Sequence, residues 1–208
     1  MIKQQLRTGD VLDEVILDLY EEIPRSFFVP SEMRDFAYSD MQIPYAFGQK
    51  MMSPEQEGKL LQALNLKGYE TVLEVGTGTG FFTALLSRLS KKVISIDFYK
   101  ELIDAARPKL AHFKCDNVEL ITGDAFGGWV DQAPYDIVIL NGGIEFITDL
   151  HRLQVLPGGK LTAIIGIEHA MKCVLFELDH QNHWTETPLF DTCLPPLINL
   201  SKVKEFVF

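Results

Sequence analysis

Apolar residues recur at helical spacing in the first quarter of the chain. Between residues 11 and 23 they return every three or four positions, which predicts an amphipathic helix. Pro24 ends this pattern, because proline cannot continue the hydrogen-bond ladder of a helix. A second short helix is predicted over residues 31–38, and the periodicity is lost over residues 40–52, which are therefore predicted to form a loop.

A well-marked helix start follows this loop. Ser53 precedes Pro54, which suits the first helical position, and Gln56 stands where its side chain can close a capping box with Ser53. The helix is predicted to run to about residue 66. Ser53 is therefore interpreted first as a helix cap, and only second as a contact for a substrate.

The centre of the chain alternates between strands and helices. Four short apolar runs are predicted as buried strands: residues 71–75, 92–97, 117–121 and 135–140. Helical spacing begins at Phe82 after the first strand, and it covers residues 101–113 after the second. This alternation predicts a parallel sheet with right-handed crossovers, in which ligands bind at the carboxyl ends of the strands.

The last third of the chain changes to strand spacing. A Leu-Pro-Gly-Gly turn at residues 156–159 precedes three predicted strands, at residues 160–167, 171–178 and 184–190. A polar hairpin connection is predicted at residues 179–183, and a late strand at residues 203–208. We therefore predict one α/β domain over residues 1–208, with a mixed sheet of about seven strands flanked by helices and an antiparallel final hairpin. Residues 1–52 would form a helical lid on the core, residues 53–208.

The sharpest candidate for ligand binding is the glycine-rich turn after the first predicted strand. Gly76, Gly78 and Gly80 let the backbone pass close to a ligand, and the N-terminus of the following helix favours a negative group. Phe81 and Phe82 stand where a dinucleotide-binding turn requires a small residue, which argues against NAD.

Polar side chains stand at the ends of all four predicted parallel strands. They are Glu74, Asp97, Asp124 and Asn141. Asp97 lies 21 positions after Gly76, where a carboxylate can accept hydrogen bonds from both hydroxyls of a ribose. Each of these side chains alone is as typical of a turn or a cap as of a binding site. Together they predict a nucleoside site.

Composition and charge exclude several classes of protein. A length of 208 residues with 47% hydrophobic residues fits one globular domain, and a formal net charge of −10 argues against a nucleic-acid partner. Cys115, Cys173 and Cys193 lie far apart, which fits reduced thiols in a cytoplasm. No apolar run reaches the ~20 residues that span a membrane, so a cytoplasmic protein without a membrane partner is expected. His180 and His183 lie in a polar turn without a third ligand, and no metal site is predicted.

The order of these motifs resembles the class I methyltransferases that use S-adenosylmethionine, which have a Rossmann-like fold. Within that class the chain is more similar to the protein-L-isoaspartate O-methyltransferases. The resemblance extends over nearly the whole chain, and its N-terminal part lies outside the generic cofactor domain. It is carried by Ile-Pro-Arg at 23–25, Phe-Val-Pro at 28–30, Ala-Tyr-Ser-Asp at 37–40, Ile-Pro at 43–44, Gly-Gln at 48–49, residues 72–80, Gly-Asp at 123–124, Gly-Trp at 128–129, Ala-Pro-Tyr-Asp at 133–136 and Pro-Pro-Leu-Ile at 195–198.

Two positions depart from the family pattern. The family loop reads Gly-Gln-Thr-Ile-Ser-x-Pro, and its serine lines the active site, whereas this chain has Met52 at the position of the serine and Ser53 one residue later. Asn141 stands where the family often has threonine or glycine.

The resemblance implies a binding role for each region of the site. S-adenosylmethionine would be the cofactor, S-adenosylhomocysteine the product, and damaged proteins with isoaspartyl residues the substrates. The residues expected at the cofactor are Glu74, Gly76, Thr77, Gly78, Gly80, Asp97, Phe98, Asp124, Ala125 and Asn141. Those expected at the substrate cleft are Tyr38, Pro196, Leu197 and Ile198, with Asp40, Met52 and Ser53 closest to the reaction. The sequence does not indicate an oligomeric state.

Reaction chemistry leaves three functions open. A carboxylate is ionised at neutral pH, so it can accept a methyl group without a general base, and no base or metal for a phenol or an amine is evident in the sequence. The first reading is a cytoplasmic repair enzyme that methyl-esterifies L-isoaspartyl and D-aspartyl residues. The alternatives are a related methyltransferase for a different carboxylate or small molecule, which Met52 favours, and a catalytically silent module that binds S-adenosylmethionine.

Overall fold

A computed structural model describes residues 2–167 and 170–198. Its N-terminal part holds three α-helices, α1 (Ile2–Thr8), α2 (Glu14–Glu22) and α3 (Pro54–Leu64), and three 3-10 helices, Arg25–Phe27, Ser31–Phe36 and Ala46–Gly48. The predicted first helix begins at Glu14, because the carboxylate of Asp13 accepts the N–H of Val15 at 2.9 Å and caps α2. The predicted second helix is a 3-10 helix and ends at Phe36.

The predicted capping box of α3 is confirmed. The hydroxyl of Ser53 accepts the N–H of Gln56 at 3.4 Å, and the side-chain oxygen of Gln56 accepts the N–H of Ser53 at 3.2 Å. The helix ends at Leu64, two residues before the predicted end, because Asn65 adopts a left-handed conformation with a φ of 51°. The sequence signals thus fix where α3 begins, and α3 carries the residues that border the site below.

The seven predicted strands within the described residues form one mixed sheet. They are β1 (Thr71–Val75), β2 (Lys92–Asp97), β3 (Val118–Thr122), β4 (Tyr135–Ile144), β5 (Val155–Ile167), β6 (Ala170–Leu178) and β7 (Trp184–Thr192). Their order is β3-β2-β1-β4-β5-β6-β7. The first five strands are parallel, whereas β6 and β7 are antiparallel to their neighbours. The strand order reverses between β1 and β4, and ligands bind at such a switch point in sheets of this kind.

Two strand boundaries differ from the prediction by four or more residues, and the others by at most two. The fourth strand does not end at residue 140, since β4 continues to Ile144 with a shift of register. The Leu-Pro-Gly-Gly segment lies inside β5 rather than before it, because Val155 and Lys160 both pair with β4 and residues 156–159 bulge between them. Proline and glycine at residues 157–159 are typical of a turn, but pairing with β4 on both sides keeps the segment in the sheet.

Buried apolar residues lie on both faces of the sheet. One face packs against α1–α3, α4 (Phe81–Leu89) and α5 (Lys100–His112). The other face is covered by shorter segments, including the connection from β3 to β4, where the described chain has only a 3-10 helix, Val130–Gln132, and not the crossover helix that strict alternation would give. The short helix α6 (Asp149–Arg152) precedes β5.

Two further sequence-based predictions concern a late strand and membrane-spanning segments. The predicted late strand at residues 203–208 lies outside the described residues. Within residues 2–167 and 170–198, no helix has the length and apolar character needed to cross a membrane.

Candidate active site

The turn between β1 and α4 is built from glycines that the local geometry requires. Gly76 has a φ of 99° and Gly78 a φ of 54°, both in the left-handed region. A side chain on Gly76 would put its Cβ 3.2 Å from the Cβ of Asn141, and one on Gly78 would put its Cβ 2.5 Å from the hydroxyl of Tyr45. Because Gly76 and Gly78 have no side chains, the backbone of the turn fits between β4 and the loop that contains Tyr45.

Glu74 connects the elements that surround this turn. Its buried carboxylate accepts the hydroxyls of Thr83 and Ser95, both at 2.6 Å, and the amide of Asn141 at 2.9 Å. These bonds join β1 to α4, β2 and β4. Burial raises the pKa of Glu74 to about 7, although the hydrogen bonds from Ser95, Thr83 and Asn141 lower it. With its carboxylate bound to three protein donors, Glu74 is arranged to fix the turn.

Asp97 ends β2 and faces the same turn. One carboxylate oxygen accepts the N–H of Gly78 at 2.8 Å, and the other accepts the N–H of Tyr99 at 3.0 Å. Burial raises the pKa of Asp97, while the bonds from Gly78, Tyr99 and Phe98 lower it. Each oxygen of an ionised carboxylate can accept a further hydrogen bond, so Asp97 can still bind a diol.

A first cleft of about 500 Å³ opens at the carboxyl ends of β1, β2 and β3. Its lining combines a carboxylate with apolar and aromatic side chains, which is typical of small-molecule sites. It is lined by Tyr45, Gln49, Val75, Gly76, Ile96, Asp97, Phe98, Tyr99, Gly123, Ala125, Phe126, Asn141, Pro196, Leu197 and Ile198.

A second cleft of about 360 Å³ adjoins the first and lies against the N-terminus of α4. The two clefts share Tyr45, Gly76 and Asn141. The second cleft is lined by Tyr45, Lys50, Met51, Met52, Glu57, Gly76, Thr77, Gly78, Thr79, Phe81, Phe82, Asn141 and Leu194. One elongated ligand could therefore extend from the nucleoside-like site around Asp97 into a space beside Met52.

Asn141 lies between the two clefts. Its side-chain amide donates to Glu74 and, at 3.3 Å, to the carbonyl of Gly76. Its oxygen, Oδ1, is buried without a hydrogen-bond partner among the described residues. A buried acceptor without a partner costs free energy, so this oxygen is placed to accept a hydrogen bond from a ligand.

The segment from Pro44 to Lys50, which we call the lid loop, covers the junction of the clefts. Pro44 and Lys50 form an antiparallel bridge that closes the loop at its base. At its tip, Phe47 stacks on Tyr99 with ring centroids 4.0 Å apart, and Phe47 adopts a left-handed φ of 60°. Tyr45 and Gln49 point to the first cleft from this loop. The loop between the predicted helices is thus part of the site.

A buried ion pair supports the wall of the second cleft. The guanidinium of Arg25, which has no exposed surface, donates from Nε to Glu57 at 3.2 Å, from Nη1 to the carbonyl of Ala37 at 3.0 Å, and from Nη2 to the carbonyl of Met52. Burial raises the pKa of Glu57 to about 7, whereas the charge and hydrogen bond of Arg25 lower it. This arrangement fixes Met52 and Glu57 side by side in the cleft wall.

The segment after β7 completes the first cleft. The N–H of Gly143 in β4 donates to Pro195, and the N–H of Leu197 donates to Gly143, both at 2.9 Å. These bonds lay the segment alongside the end of β4, which brings the predicted residues Pro196, Leu197 and Ile198 to the cleft.

Other predicted residues come together in the clefts as well. The first cleft holds Gly76, Asp97, Phe98, Ala125 and Asn141 from the predicted cofactor set, and the second holds Met52, Thr77 and Gly78. Thr77 also shares a hydrogen bond of 2.6 Å with Ser95 behind the turn.

Six predicted site residues do not line either cleft, and one of them is Glu74, whose carboxylate is bound by Thr83, Ser95 and Asn141 behind the turn. Ser53 caps α3, and Asp40 is exposed and accepts the N–H of Glu55 at 3.3 Å in the first turn of that helix. Gly80 packs against α5, because a Cβ there would lie 3.0 Å from Ala106. Asp124 is exposed and accepts the N–H of Phe126 at 3.0 Å, and Tyr38 shares a hydrogen bond with Ser26 at 3.2 Å. The structure thus gives each of them a local partner outside the clefts.

The sequence analysis missed several cleft residues. Tyr45, Gln49, Tyr99 and Phe126 stand in loops without a motif of their own, and Glu57 follows the capping box as an ordinary helix residue. Only Gln49 carried a signal, because it belongs to the Gly-Gln pair of the family resemblance. Within the described parts of the chain, no three His, Cys, Asp or Glu side chains are grouped so that they could hold a metal ion.

The strand order, the glycine-rich turn and the two adjoining clefts define the class of Rossmann-like methyltransferases. A family model described as protein-L-isoaspartate(D-aspartate) O-methyltransferase (PCMT) matches residues 1–197. The chain therefore belongs to the protein-L-isoaspartate O-methyltransferase family.

Individual relatives agree with this family. A protein-L-isoaspartate O-methyltransferase of Methanoculleus marisnigri is 32% identical over 199 residues, which are 95% of this chain and 90% of the relative. A protein-L-isoaspartate O-methyltransferase 1 of an Anaeromyxobacter species is 34% identical over 194 residues, 92% of this chain and 91% of the relative.

Two solved structures share the fold. One is a Plasmodium falciparum protein-L-isoaspartate O-methyltransferase in complex with S-adenosyl-L-homocysteine, with a TM-score of 0.77, 17% identity, and coverage of 95% of this chain and 96% of the other. Another protein-L-isoaspartate O-methyltransferase has a TM-score of 0.81 and 19% identity over 100% of this chain and 69% of the other.

Proposed function

We propose that this protein binds S-adenosylmethionine across the two clefts and methyl-esterifies L-isoaspartyl and D-aspartyl residues of damaged proteins, as a first step of their repair. The observation that carries the proposal is the family match over residues 1–197. Curated relatives that align with nearly the whole chain bear the name of this activity. The buried thiols of Cys115 and Cys173 fit a cytoplasmic enzyme.

The first cleft fits the adenosine part of the cofactor. Asp97 has oxygens free to accept two ribose hydroxyls, and the cleft also offers the flat rings of Phe98, Tyr99 and Phe126 to a base. A relative of the same fold is known in complex with S-adenosyl-L-homocysteine. The Gly76–Gly80 turn would hold the methionine part, with Asn141 Oδ1 as an acceptor for its ammonium group.

When bound, S-adenosylmethionine supplies an electrophilic methyl group on a sulfonium sulfur, and S-adenosylhomocysteine is the product. The isoaspartyl carboxylate is ionised at neutral pH, so the protein does not have to remove a proton from it. The residues of this chain therefore act by positioning the substrate and by excluding water. The lid loop and the segment at residues 195–198 border the clefts from two sides and suit this task.

Met52 is the position at which this chain and its family differ at the reaction site. It is 5% exposed, and Arg25 holds its carbonyl, so its thioether forms part of the cleft wall without offering a hydrogen-bond donor. Because the transfer needs no base, this change does not remove a required proton acceptor. It leaves positioning of the carboxylate to other groups.

The proposal is tested by transfer of labelled methyl groups from S-adenosylmethionine to a peptide. One peptide contains an isoaspartyl residue, and its control has the same sequence with a normal aspartyl residue. We expect label only in the isoaspartyl peptide, and release of that label by mild base, as for a methyl ester. Labelling of neither peptide by folded protein that binds S-adenosylhomocysteine would contradict the proposal and would favour another carboxylate substrate or a silent binding role.

A further inference from the structure

We propose that Glu57 is a positioning residue for the methyl acceptor: its neutral carboxylic acid donates a hydrogen bond to the substrate carboxylate, a donor that Met52 does not provide. This inference rests on the proposed function and adds a residue that determines how the acceptor is held. Three features support it. Glu57 lies in the wall of the second cleft, its two carboxyl oxygens differ in their hydrogen bonds, and Arg25 has other acceptors when Glu57 is neutral.

Glu57 is a buried acidic group in the wall of the reaction site. It lies on α3, is 2% exposed, and lines the second cleft together with Met52, Thr77 and Gly78. Arg25 donates to both Glu57 and the carbonyl of Met52, so the two residues are held as neighbours by one guanidinium. A substrate carboxylate that enters this cleft would therefore meet Glu57.

The two oxygens of Glu57 have different surroundings. Oε2 accepts the Nε–H of Arg25 at 3.2 Å. No described residue donates a hydrogen bond to Oε1, and Glu57 lines the second cleft, so we assign Oε1 as the oxygen that would meet a ligand there. In the neutral acid, Oε2 can remain the acceptor while the hydroxyl at Oε1 is left to donate to a ligand.

The surroundings of Glu57 allow it to be neutral. Arg25 keeps acceptors without the carboxylate charge, since it donates to the carbonyls of Ala37 and Met52 and lies 5.7 Å from the ring centre of Phe81. Burial raises the pKa of Glu57 to about 7, against the lowering effect of Arg25.

Two other titratable groups lie near this carboxyl group. Tyr20 from α2 donates its hydroxyl to the carbonyl of Pro54, and burial together with the charge of Glu57 raises the pKa of its phenol, which stays neutral near pH 7. Lys50 contributes an exposed positive charge from the lid loop.

The charge of Glu57 determines whether the second cleft favours or disfavours binding of a carboxylate. When ionised, Glu57 repels a second carboxylate at short range, in a place where burial weakens screening by water. When neutral, it offers a hydrogen bond to that carboxylate, and bonds to an ionised acceptor are the stronger kind. Binding and turnover of an acidic substrate should therefore fall as the pH rises through the titration of Glu57.

The test compares wild type, Glu57→Gln and Glu57→Ala in methyl transfer between pH 6 and pH 8.5. The isoaspartyl peptide has a blocked N-terminus and no histidine, so its own groups do not titrate in this range. For the wild type we expect kcat/KM to fall about tenfold per pH unit above pH 7. Glu57→Gln keeps an N–H donor, so its kcat/KM should show no such fall. The kcat/KM of Glu57→Ala should be about 10- to 100-fold below that of the wild type at pH 6.

Glu55→Gln is the matched control, because Glu55 lies two residues earlier on α3, pairs with Lys59 and does not line the cleft. It should keep the wild-type pH profile. Binding of S-adenosylhomocysteine, measured for each variant, separates loss of fold from loss of positioning. Two results would overturn this inference alone. One is the same pH profile of kcat/KM in the wild type and in Glu57→Gln. The other is an equal loss of kcat/KM in Glu57→Gln and Glu57→Ala at every pH. A wild type that is inactive on the peptide at every pH would contradict the proposed function as well.

Discussion

Asp97 is the residue on which the nucleoside interpretation depends. Removing its carboxylate in Asp97→Ala should weaken the binding of S-adenosylhomocysteine about 10- to 100-fold, since hydrogen bonds to a charged group contribute about 1.5–3 kcal/mol. Titration calorimetry measures this affinity directly. Asp104→Ala is a suitable control, because Asp104 is an exposed carboxylate paired with Lys100 on α5. An affinity within about threefold of wild type in Asp97→Ala would remove the ribose role.

Glu74 gives the stability of the protein a pH dependence of definite sign. Burial raises its pKa from 4.5 to about 7, so between these values the folded state binds more protons than the unfolded state. The free energy of unfolding contributed by Glu74 therefore falls as the pH rises through this window, by about 3 kcal/mol in total.

The comparison of wild type with Glu74→Gln isolates this contribution. Urea unfolding at intervals from pH 4.5 to pH 8 should show the wild type losing stability relative to the variant up to about pH 7, and no further change above it. A difference between the two proteins that stays constant with pH would show that Glu74 titrates alike in the folded and unfolded states.

At the scale of elements, the capping box separates a structural serine from a catalytic one. Ser53→Ala removes the acceptor for the N–H of Gln56 at the start of α3 and should lower the free energy of unfolding by about 1 kcal/mol. Because Ser53 does not line either cleft, kcat of the folded variant should stay near the wild-type value.

A matched control for Ser53 is Ser31→Ala, which removes an exposed hydroxyl outside a capping box and should change stability by less than about 0.5 kcal/mol. Denaturant unfolding and methyl transfer on the same samples give both quantities. A fall of kcat in Ser53→Ala with unchanged stability would instead support contact with the substrate.

An aromatic stack holds the tip of the lid loop against Tyr99 of the first cleft. Phe47→Ala removes the contact with Tyr99 and should weaken binding of S-adenosylhomocysteine about 2- to 10-fold, in line with the contribution of an aromatic pair. Phe36→Ala, which truncates a similarly exposed ring outside the lid loop, should leave this affinity unchanged. Equal affinities in wild type and Phe47→Ala would show that the stack does not hold the loop over the bound cofactor.

At the scale of the whole molecule, the sequence predicted the sheet better than the site. Apolar runs identify β1, β2 and β4, because strands buried on both faces are mostly apolar, whereas β3 lies at the edge of the sheet and its described residues are partly or fully exposed. The start of β5 was missed because Pro157, Gly158 and Gly159 have the chemistry of a turn, and only pairing with β4 on both sides keeps them in the strand. Local patterns do not contain that pairing.

Some cleft residues were predicted from their position at the end of a parallel strand, and others from distant segments were missed. Asp97 and Asn141 were found because the carboxyl ends of parallel strands meet at one edge of the sheet. Tyr45 and Glu57 line the second cleft because the N-terminal segment packs on the sheet. Their local sequence does not predict that contact. The buried pair of Arg25 and Glu57 likewise joins residues 32 positions apart.

The most direct test of the whole account is a crystal structure of the protein with S-adenosylhomocysteine and an isoaspartyl peptide bound together. We predict that the ribose hydroxyls lie within about 3 Å of the Asp97 carboxylate, and that the peptide carboxylate lies in the second cleft beside Met52 and Glu57. A nucleoside bound away from Asp97, or a peptide carboxylate bound outside the second cleft, would contradict this account.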